Sequence, residues 1–182
     1  MFKSRISLQT ALPAKIFLST AVITMFTWTV SSKVYSQEYT QKSNSVAATQ
    51  RDEELSNLAQ QVHQQVNKYR ASVDLAPLKL NTQISNQAQI HSQNMAQQKV
   101  EFGHQGFDSR IEALKNNIAY SRAAENVAYN QGYGDPASEA VKGWIKSEGH
   151  RQNMVGNYNL TGIGVAKNQQ GEYYFTQIFI LE

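Results

Sequence analysis

The C-terminal residues 172–181, EYYFTQIFIL, form a run that is apolar at most positions. Successive side chains of an extended chain point to opposite faces. Phe175 and Phe179 therefore fall on one face, and the opposite face carries Ile178 and Ile180. A strand that is apolar on both faces has to be covered from both sides. This run constrains the fold more than any other feature, because the rest of the chain has to provide two covering layers.

Two further strands are predicted upstream of this run. The segment NLTGIGVAK at residues 159–167 is rich in β-branched residues, and NQQG joins it to the C-terminal run. Two runs of this type, separated by a short turn that contains glycine, predict an antiparallel hairpin. Earlier in the chain, ENVAYNQGYGD at residues 125–135 predicts a brief strand followed by a glycine-rich turn.

The covering layers are predicted from apolar residues that recur three and four positions apart, which is typical of amphipathic helices. One such stripe runs from Leu55 to Tyr69 and predicts a first helix. A second helix is predicted to begin around Asn81, a favoured N-cap residue. His91 lies on the apolar stripe of this second helix. This position predicts a packed core residue rather than a ligand-binding one.

Two more helices are predicted between residues 107 and 149. The segment FDSRIEAL suggests a short helix capped by Asp108, and Asp135 followed by Pro136 predicts the start of a longer one. Gly149 is expected to end that helix, and Trp144 is expected to anchor its buried face. Helices first and an antiparallel hairpin last predict a layered α+β domain.

Residues 1–36 have the composition of a targeting segment. Lys3, Arg5 and Lys15 precede an uncharged, mostly apolar run at residues 16–30, which is shorter than the roughly 20 residues that cross a bilayer. This arrangement is typical of a secretory signal peptide. An uncleaved N-terminal anchor is the alternative, because Lys33 marks the far edge of the run. We therefore predict export to a secreted, extracellular or periplasmic location, with membrane contact only through residues 1–36.

The residues after this segment divide into a linker and a domain. Residues 37–50, QEYTQKSNSVAATQ, contain few large apolar side chains, which predicts a flexible polar linker. The globular domain is then predicted at residues 51–182. A domain of this size buries enough apolar surface to fold without disulfides.

Charge and cysteine content exclude several classes of function. Residues 1–36 hold four of the 17 basic residues and none of the 14 acidic ones, so the remainder carries 13 basic against 14 acidic residues. This balance argues against a nucleic-acid-binding surface. The chain has no cysteine, which excludes thiol catalysis and thiolate metal sites. A metal ion would have to be held by His, Asp or Glu.

Three residues with chemically active side chains lie at junctions between predicted elements. His104 in FGHQGF, Glu125 in RAAENVAY and His150 in SEGHRQNM each stand beside glycine or another small residue. Imidazole and carboxylate groups are the ligands expected for zinc or copper at a site without cysteine. Their spacings match no local metal motif, so two solvated turn histidines and a capping or ion-paired acid are the alternative interpretation.

Five segments in order resemble the CAP superfamily, which comprises cysteine-rich secretory, antigen-five and pathogenesis-related proteins and many secreted bacterial domains. The segments are HQQVNKYRASVDLAPLKLN, FGHQGF, AAENVAY, AVKGWIKSEGHRQNM, and the pair LTGIGVA and YYFTQIF. The resemblance covers residues 52–181 and is to the bacterial SCP-like secreted branch. It implies a three-layer α-β-α sandwich with a central, mainly antiparallel sheet.

The resemblance also implies a cleft lined by two histidines and two acidic residues, which holds zinc or copper in some members. His104, Glu125 and His150 match three of these positions, and Ser147 stands where animal members carry the second acid. Glu148 and Asn126 are further cleft-lining candidates. The function implied is an extracellular binding module for lipids or cell-envelope components. A metal-dependent or Ser/His-type, peptidase-like hydrolase that uses the same cleft is the alternative.

Overall fold

The structure is a computed structural model that describes residues 25–182, with side chains from residue 37 onward. The described residues form five helices and four strands. In chain order these are α1 (Met25–Ala71), β1 (Lys79–Leu80), α2 (Thr82–Ala96), α3 (Phe107–Glu112), β2 (Arg122–Asn130), α4 (Pro136–Lys146), α5 (Glu148–Val155), β3 (Leu160–Lys167) and β4 (Tyr173–Leu181).

The four strands form one mixed sheet in the order β1-β3-β4-β2. The predicted hairpin is confirmed, because β3 and β4 pair antiparallel, and β4 pairs antiparallel with β2 on its other side. The short strand β1 pairs parallel with β3 and was not predicted. Its two residues are both exposed, which leaves no periodic pattern to detect. The sheet is therefore mainly antiparallel, with β4 in an interior position.

Helices cover both faces of this sheet, which confirms the layered fold. On one face, α1, α4 and α5 pack against Phe175 and Phe179 of β4. On the other face, α2 and α3 pack against Ile178 and Ile180. All four of these β4 side chains are fully buried. The two apolar faces of the C-terminal run therefore belong to two separate cores, as its alternation predicts.

Helix α2 lies directly against β3 because β3 has glycine at two positions. A Cβ atom at Gly162 or at Gly164 would overlap backbone atoms of α2. The side chain of Gln89 in α2 also accepts a hydrogen bond from the backbone N–H of Val165 and donates one to its carbonyl, both at 2.9 Å. The two glycines of the GIG sequence therefore allow α2 to pack closely against the sheet.

Two predicted helix boundaries are wrong. Asp108 does not cap α3, because Gly106 takes the N-cap position and Asp108 lies within the first turn. Gly149 does not end α4, which ends at Lys146 where Ser147 adopts an extended conformation. A separate helix, α5, follows at once and contains Gly149. His150 therefore lies on a helix and not in a turn. The caps predicted at Asn81 and Asp135 are confirmed, since both side chains accept backbone hydrogen bonds.

The segment predicted as a flexible linker, residues 37–50, is helical and belongs to α1. Every one of its side chains is exposed. The segment contains neither glycine nor proline, so nothing in its backbone interrupts a helix. The chain divides into two compact units between Val46 and Ala47, and the predicted domain start at residue 51 stays a prediction. Most of the predicted targeting segment, residues 1–24, lies outside the described residues. Among the described residues, no helix has both the length and the apolar character needed to cross a membrane.

Candidate functional site

Glu125 of β2 forms a buried ion pair with Arg110 of α3. The Glu125 side chain is only 2% exposed. The Arg110 guanidinium donates from Nε to Oε2 at 3.0 Å and from Nη2 to both carboxylate oxygens at 2.8 Å. A fourth hydrogen bond runs from Nη1 to the carbonyl of Gln105 at 2.7 Å. The carboxylate charge is therefore compensated inside the protein by a guanidinium that is itself held in place.

His104, in the loop before α3, contacts the ion pair of Glu125 and Arg110. We call these three residues the cluster. Nδ1 of His104 lies 3.0 Å from Oε1 of Glu125, and half of the His104 side-chain surface is exposed. Nearby, the buried His91 ring lies 2.8 Å from the carbonyl of Gly103, through its Nε2. Burial lowers the pKa of His91, and the hydrogen bond to Gly103 opposes that effect. The prediction that His91 is a packed residue is thus confirmed, and it packs beneath the loop that carries His104.

The neighbouring residue Asn126 faces the opposite layer of the sandwich. Its Nδ2 donates to the carbonyl of His150 at 3.0 Å, and its Oδ1 accepts from Nδ2 of Asn153 at 2.9 Å. The same Asn153 amide also donates to the carbonyl of Glu125 at 3.2 Å. Asn126 is fully buried. Its amide therefore fixes the position of α5, and with it His150, relative to strand β2.

A cleft of about 600 Å³ lies where β2 meets α4 and the start of α5. We call it the aromatic cleft. The residues that line it are Phe102, Val127, Ala128, Tyr129, Asn130, Gln131, Tyr133, Glu139, Ala140, Gly143, Trp144, Ser147 and His150. Those from α4 recur three and four positions apart, so a single face of the helix forms this wall. Trp144 is buried as predicted, and its Nε1 donates to the carbonyl of Val127 at 2.9 Å.

The predicted site residues divide between the cluster and the aromatic cleft. His150 and Ser147 line the cleft, whereas His104 and Glu125 do not. Glu148 also lies outside the lining, and its carboxylate accepts from the Gln152 amide along α5 at 3.3 Å. Burial lowers the pKa of the His150 imidazole, and the charge of His104 lowers it further. The two histidines are therefore within electrostatic reach of each other.

Glu125, one of the three predicted metal ligands, is already engaged with a positively charged side chain in this arrangement. Both oxygens of Glu125 accept hydrogen bonds from Arg110, whose positive charge opposes a cation at the same carboxylate. Within residues 37–182, no group of three or more His, Asp or Glu side chains is arranged to hold a metal. Zinc or copper binding by His104, Glu125 and His150 therefore stays a prediction.

Two features of the site were not predicted. The role of Arg110 was not predicted, because nothing in the sequence connects it with a carboxylate fifteen positions later. The aromatic rim, formed by Phe102, Tyr129 and Tyr133, was also missed. One available signal was the alternation of β2, which places Tyr129 on the same face as Glu125.

Comparisons with known proteins agree with this fold. The sequence model of the CAP family, described as the cysteine-rich secretory protein family, matches residues 63–179. The uncharacterized protein YkwD of Bacillus subtilis (strain 168) is 38% identical over 117 residues, which cover 63% of this chain and 43% of YkwD. The uncharacterized membrane protein YlbC of the same organism is 34% identical over 117 residues, or 63% of this chain and 32% of YlbC.

A solved structure is similar as well. The crystal structure of an extracellular protein containing a SCP domain, from Bacillus anthracis str. Ames, has a TM-score of 0.61 and 26% sequence identity. The similarity covers 70% of this chain and 41% of that chain. This chain thus spans less than half the length of each of these three proteins. Because the family model matches well over half of the chain, and the fold agrees, the chain belongs to the CAP, or cysteine-rich secretory protein, family.

Proposed function

We propose that this protein is exported and acts outside the cytoplasm as a binding module, with the aromatic cleft as its ligand site. Residues 1–36 supply the export signal, as a cleaved signal peptide or as a retained N-terminal anchor, and residues 51–182 supply the CAP domain. The layout of positive charges before a short apolar run supports export. The Bacillus anthracis protein, which is described as extracellular, supports the same location. The ligand class proposed is a component of the cell envelope, a lipid or a wall polymer.

The aromatic cleft is the observation that carries this proposal. It is concave, it has a volume of about 600 Å³, and its lining combines aromatic rings with a small number of polar groups. This composition is common in sites that bind small molecules or short segments of polymers. His150 and Ser147, two of the residues matched to the family's cleft, contribute to its wall.

The hydrolase alternative has less support from the contacts. A carboxylate that acts as a base or holds a metal has to be accessible, and Glu125 is buried against Arg110. Ser147 and His150 line the same cleft, but no hydrogen bond joins them among the described contacts. A nucleophilic serine needs such a bond to its base. We therefore favour binding over hydrolysis.

A pair of glycine substitutions tests the proposal. Gly143 lines the aromatic cleft, Gly149 does not, and a Cβ atom at either position meets nothing within 4 Å. We expect Gly143→Trp to fill the cleft and to abolish binding of the full chain to isolated cell envelopes, whereas Gly149→Trp should bind like the wild type. Equal binding by both variants would contradict the proposal. So would turnover of peptide or ester substrates that is lost in His150→Ala.

A further inference from the structure

We propose that the aromatic cleft binds a saccharide, with a pyranose ring stacked on the exposed rings of its rim. This inference rests on the proposed function, since it names the class of ligand for the same cleft. It is carried by two observations about the cleft: the exposure and arrangement of three aromatic side chains, and a set of polar groups suited to hydroxyls.

The rim is formed by three aromatic residues that the fold leaves half exposed. Phe102, Tyr129 and Tyr133 are 48%, 55% and 53% exposed, whereas every other aromatic side chain of residues 47–182 is buried or partly buried. Exposed apolar groups gathered around one concavity mark binding sites, while scattered ones need no explanation. The rim therefore needs a ligand that covers flat aromatic surface.

The central ring of the rim is held in place by its neighbours. Tyr129 packs edge-to-face with Phe102, at 5.0 Å between ring centroids, and stacks on Tyr174 at 5.9 Å. The phenol of Tyr174 in turn donates to the carboxylate of Glu172 at 2.9 Å. A ring fixed in this way loses little conformational entropy when a ligand covers it, which favours binding. Tyrosine is also suited to the wet rim of a site, because its ring is apolar and its hydroxyl is polar.

The polar groups of the lining suit a ligand with several hydroxyl groups. Asn130 lines the cleft, and Nδ2 of its amide donates to the carbonyl of Pro136 at 2.9 Å. Oδ1 of the same amide is a buried acceptor that no group among the described residues satisfies, and leaving such an acceptor unpaired is costly. Glu139 adds a second acceptor to the lining, and Ser147 and His150 add groups that both donate and accept.

Other classes of ligand fit this lining less well. A lipid chain prefers a continuous aliphatic wall, and here polar side chains interrupt the aromatic ones. A cationic ammonium group also stacks on aromatic rings, but the lining offers it a single carboxylate, Glu139. A saccharide uses both features at once, since the C–H face of its ring lies against an aromatic ring while its hydroxyls form hydrogen bonds at the edges.

The test is saturation-transfer NMR and calorimetry on the full chain with two short soluble probes, chitotetraose and cellotetraose, and one polymeric probe, glycan strands stripped of peptide. We expect saturation transfer to the ring C–H protons of at least one soluble tetraose. We also expect its dissociation constant to rise by about tenfold in Tyr129→Ala and in Tyr133→Ala, as for other truncated aromatic contacts. Binding of the strands without binding of a tetraose would show that the ligand is polymeric wall glycan. Binding of the strands and of a tetraose would show that the cleft also takes free oligosaccharides.

Matched variants make the result decisive. Tyr39→Ala removes a tyrosine that is 79% exposed and is not among the residues that line the cleft, and it should bind like the wild type. Tyr129→Phe keeps the stacked ring and should retain most of the affinity. Equal melting temperatures would show that the alanine variants are folded.

Two results would overturn the inference: no saturable binding of any saccharide probe at millimolar concentration, or saccharide binding that neither alanine variant affects. If Gly143→Trp abolishes binding to cell envelopes but no saccharide probe binds, the proposed ligand class is wrong and the proposed binding function stands. If Gly143→Trp also leaves binding to cell envelopes unchanged, both the ligand class and the proposed binding site are wrong.

Discussion

The ion pair between Arg110 and Glu125 leads to a quantitative prediction about stability. The two side chains are 10% and 2% exposed, and three of their hydrogen bonds join a guanidinium to a carboxylate. Removing one partner of a buried pair leaves the other charge uncompensated, which costs about 3–5 kcal/mol. In Arg110→Met, only the half-exposed ring of His104 would remain beside the carboxylate. We therefore expect this variant to lose about 3–4 kcal/mol of the free energy of unfolding at neutral pH.

Urea denaturation of a double-mutant cycle measures this effect. The double variant Arg110→Met/Glu125→Leu replaces the pair with apolar groups, and such replacements are often neutral or stabilising. We expect it to be less destabilised than the sum of its single variants by at least about 2 kcal/mol. Arg122→Met is the control, because Arg122 is exposed on the same strand, and it should change the free energy of unfolding by less than about 0.5 kcal/mol. A loss below about 1 kcal/mol in Arg110→Met would refute the argument that Glu125 depends on Arg110.

The same variant tests how Arg110 affects metal binding. Two unit positive charges about 4 Å apart repel each other by about 4 kcal/mol at the effective dielectric constant of a protein surface, and a zinc ion carries two such charges. We expect calorimetric titration with zinc at neutral pH to give tighter binding in Arg110→Met than in the wild type, by at least about tenfold. The opposite result is that the wild type binds zinc as tightly as Arg110→Met or more tightly, and that His104→Ala abolishes this binding. It would show that Glu125 leaves Arg110 to bind the metal.

Three further predictions concern the scaffold of the site. Gly164→Ala places a Cβ atom against the backbone of α2 and should cost about 1–3 kcal/mol in urea denaturation, whereas Gly149→Ala, where the space is open, should not destabilise the protein. Arg70 is buried and donates to four backbone carbonyls, so Arg70→Met should lower the free energy of unfolding by about 3–5 kcal/mol, and a loss of under 1 kcal/mol would contradict this role. Burial lowers the folded-state pKa of His91 below its unfolded value of about 6.5. The unfolded state therefore takes up a proton first as the pH falls below 6.5, and stability should decrease by at most about 1.4 kcal/mol per pH unit down to the folded pKa. His91→Gln should remove this part of the pH dependence, and an unchanged slope would exclude His91 as its source.

Much of the fold could be predicted because its signals are local or strictly periodic. The caps at Asn81 and Asp135 depend on residues within three positions, and both form as predicted. The alternation in β4 gave the correct faces, because a strand between two layers has no other way to bury its apolar side chains. The prediction that α4 ends at Gly149 was wrong, because a glycine ends a helix only where its backbone leaves the helical conformation. Here Ser147 had already ended α4, and Gly149 lies inside α5.

The site could be predicted only in part, because its partners are distant in sequence and its strand has two faces. Glu125 and Asn126 are adjacent, yet one pairs with α3 and the other with α5. The two histidines therefore reach the same edge strand from opposite layers of the sandwich, His104 from the α3 side and His150 on α5. Spacing along the chain carries no information about such an arrangement, and resemblance gives the residue types without their partners. The partner decides the chemistry: the carboxylate of Glu125 pairs with an arginine and holds the scaffold together, whereas the open wall of α4 beside His150 is where we propose that a ligand binds.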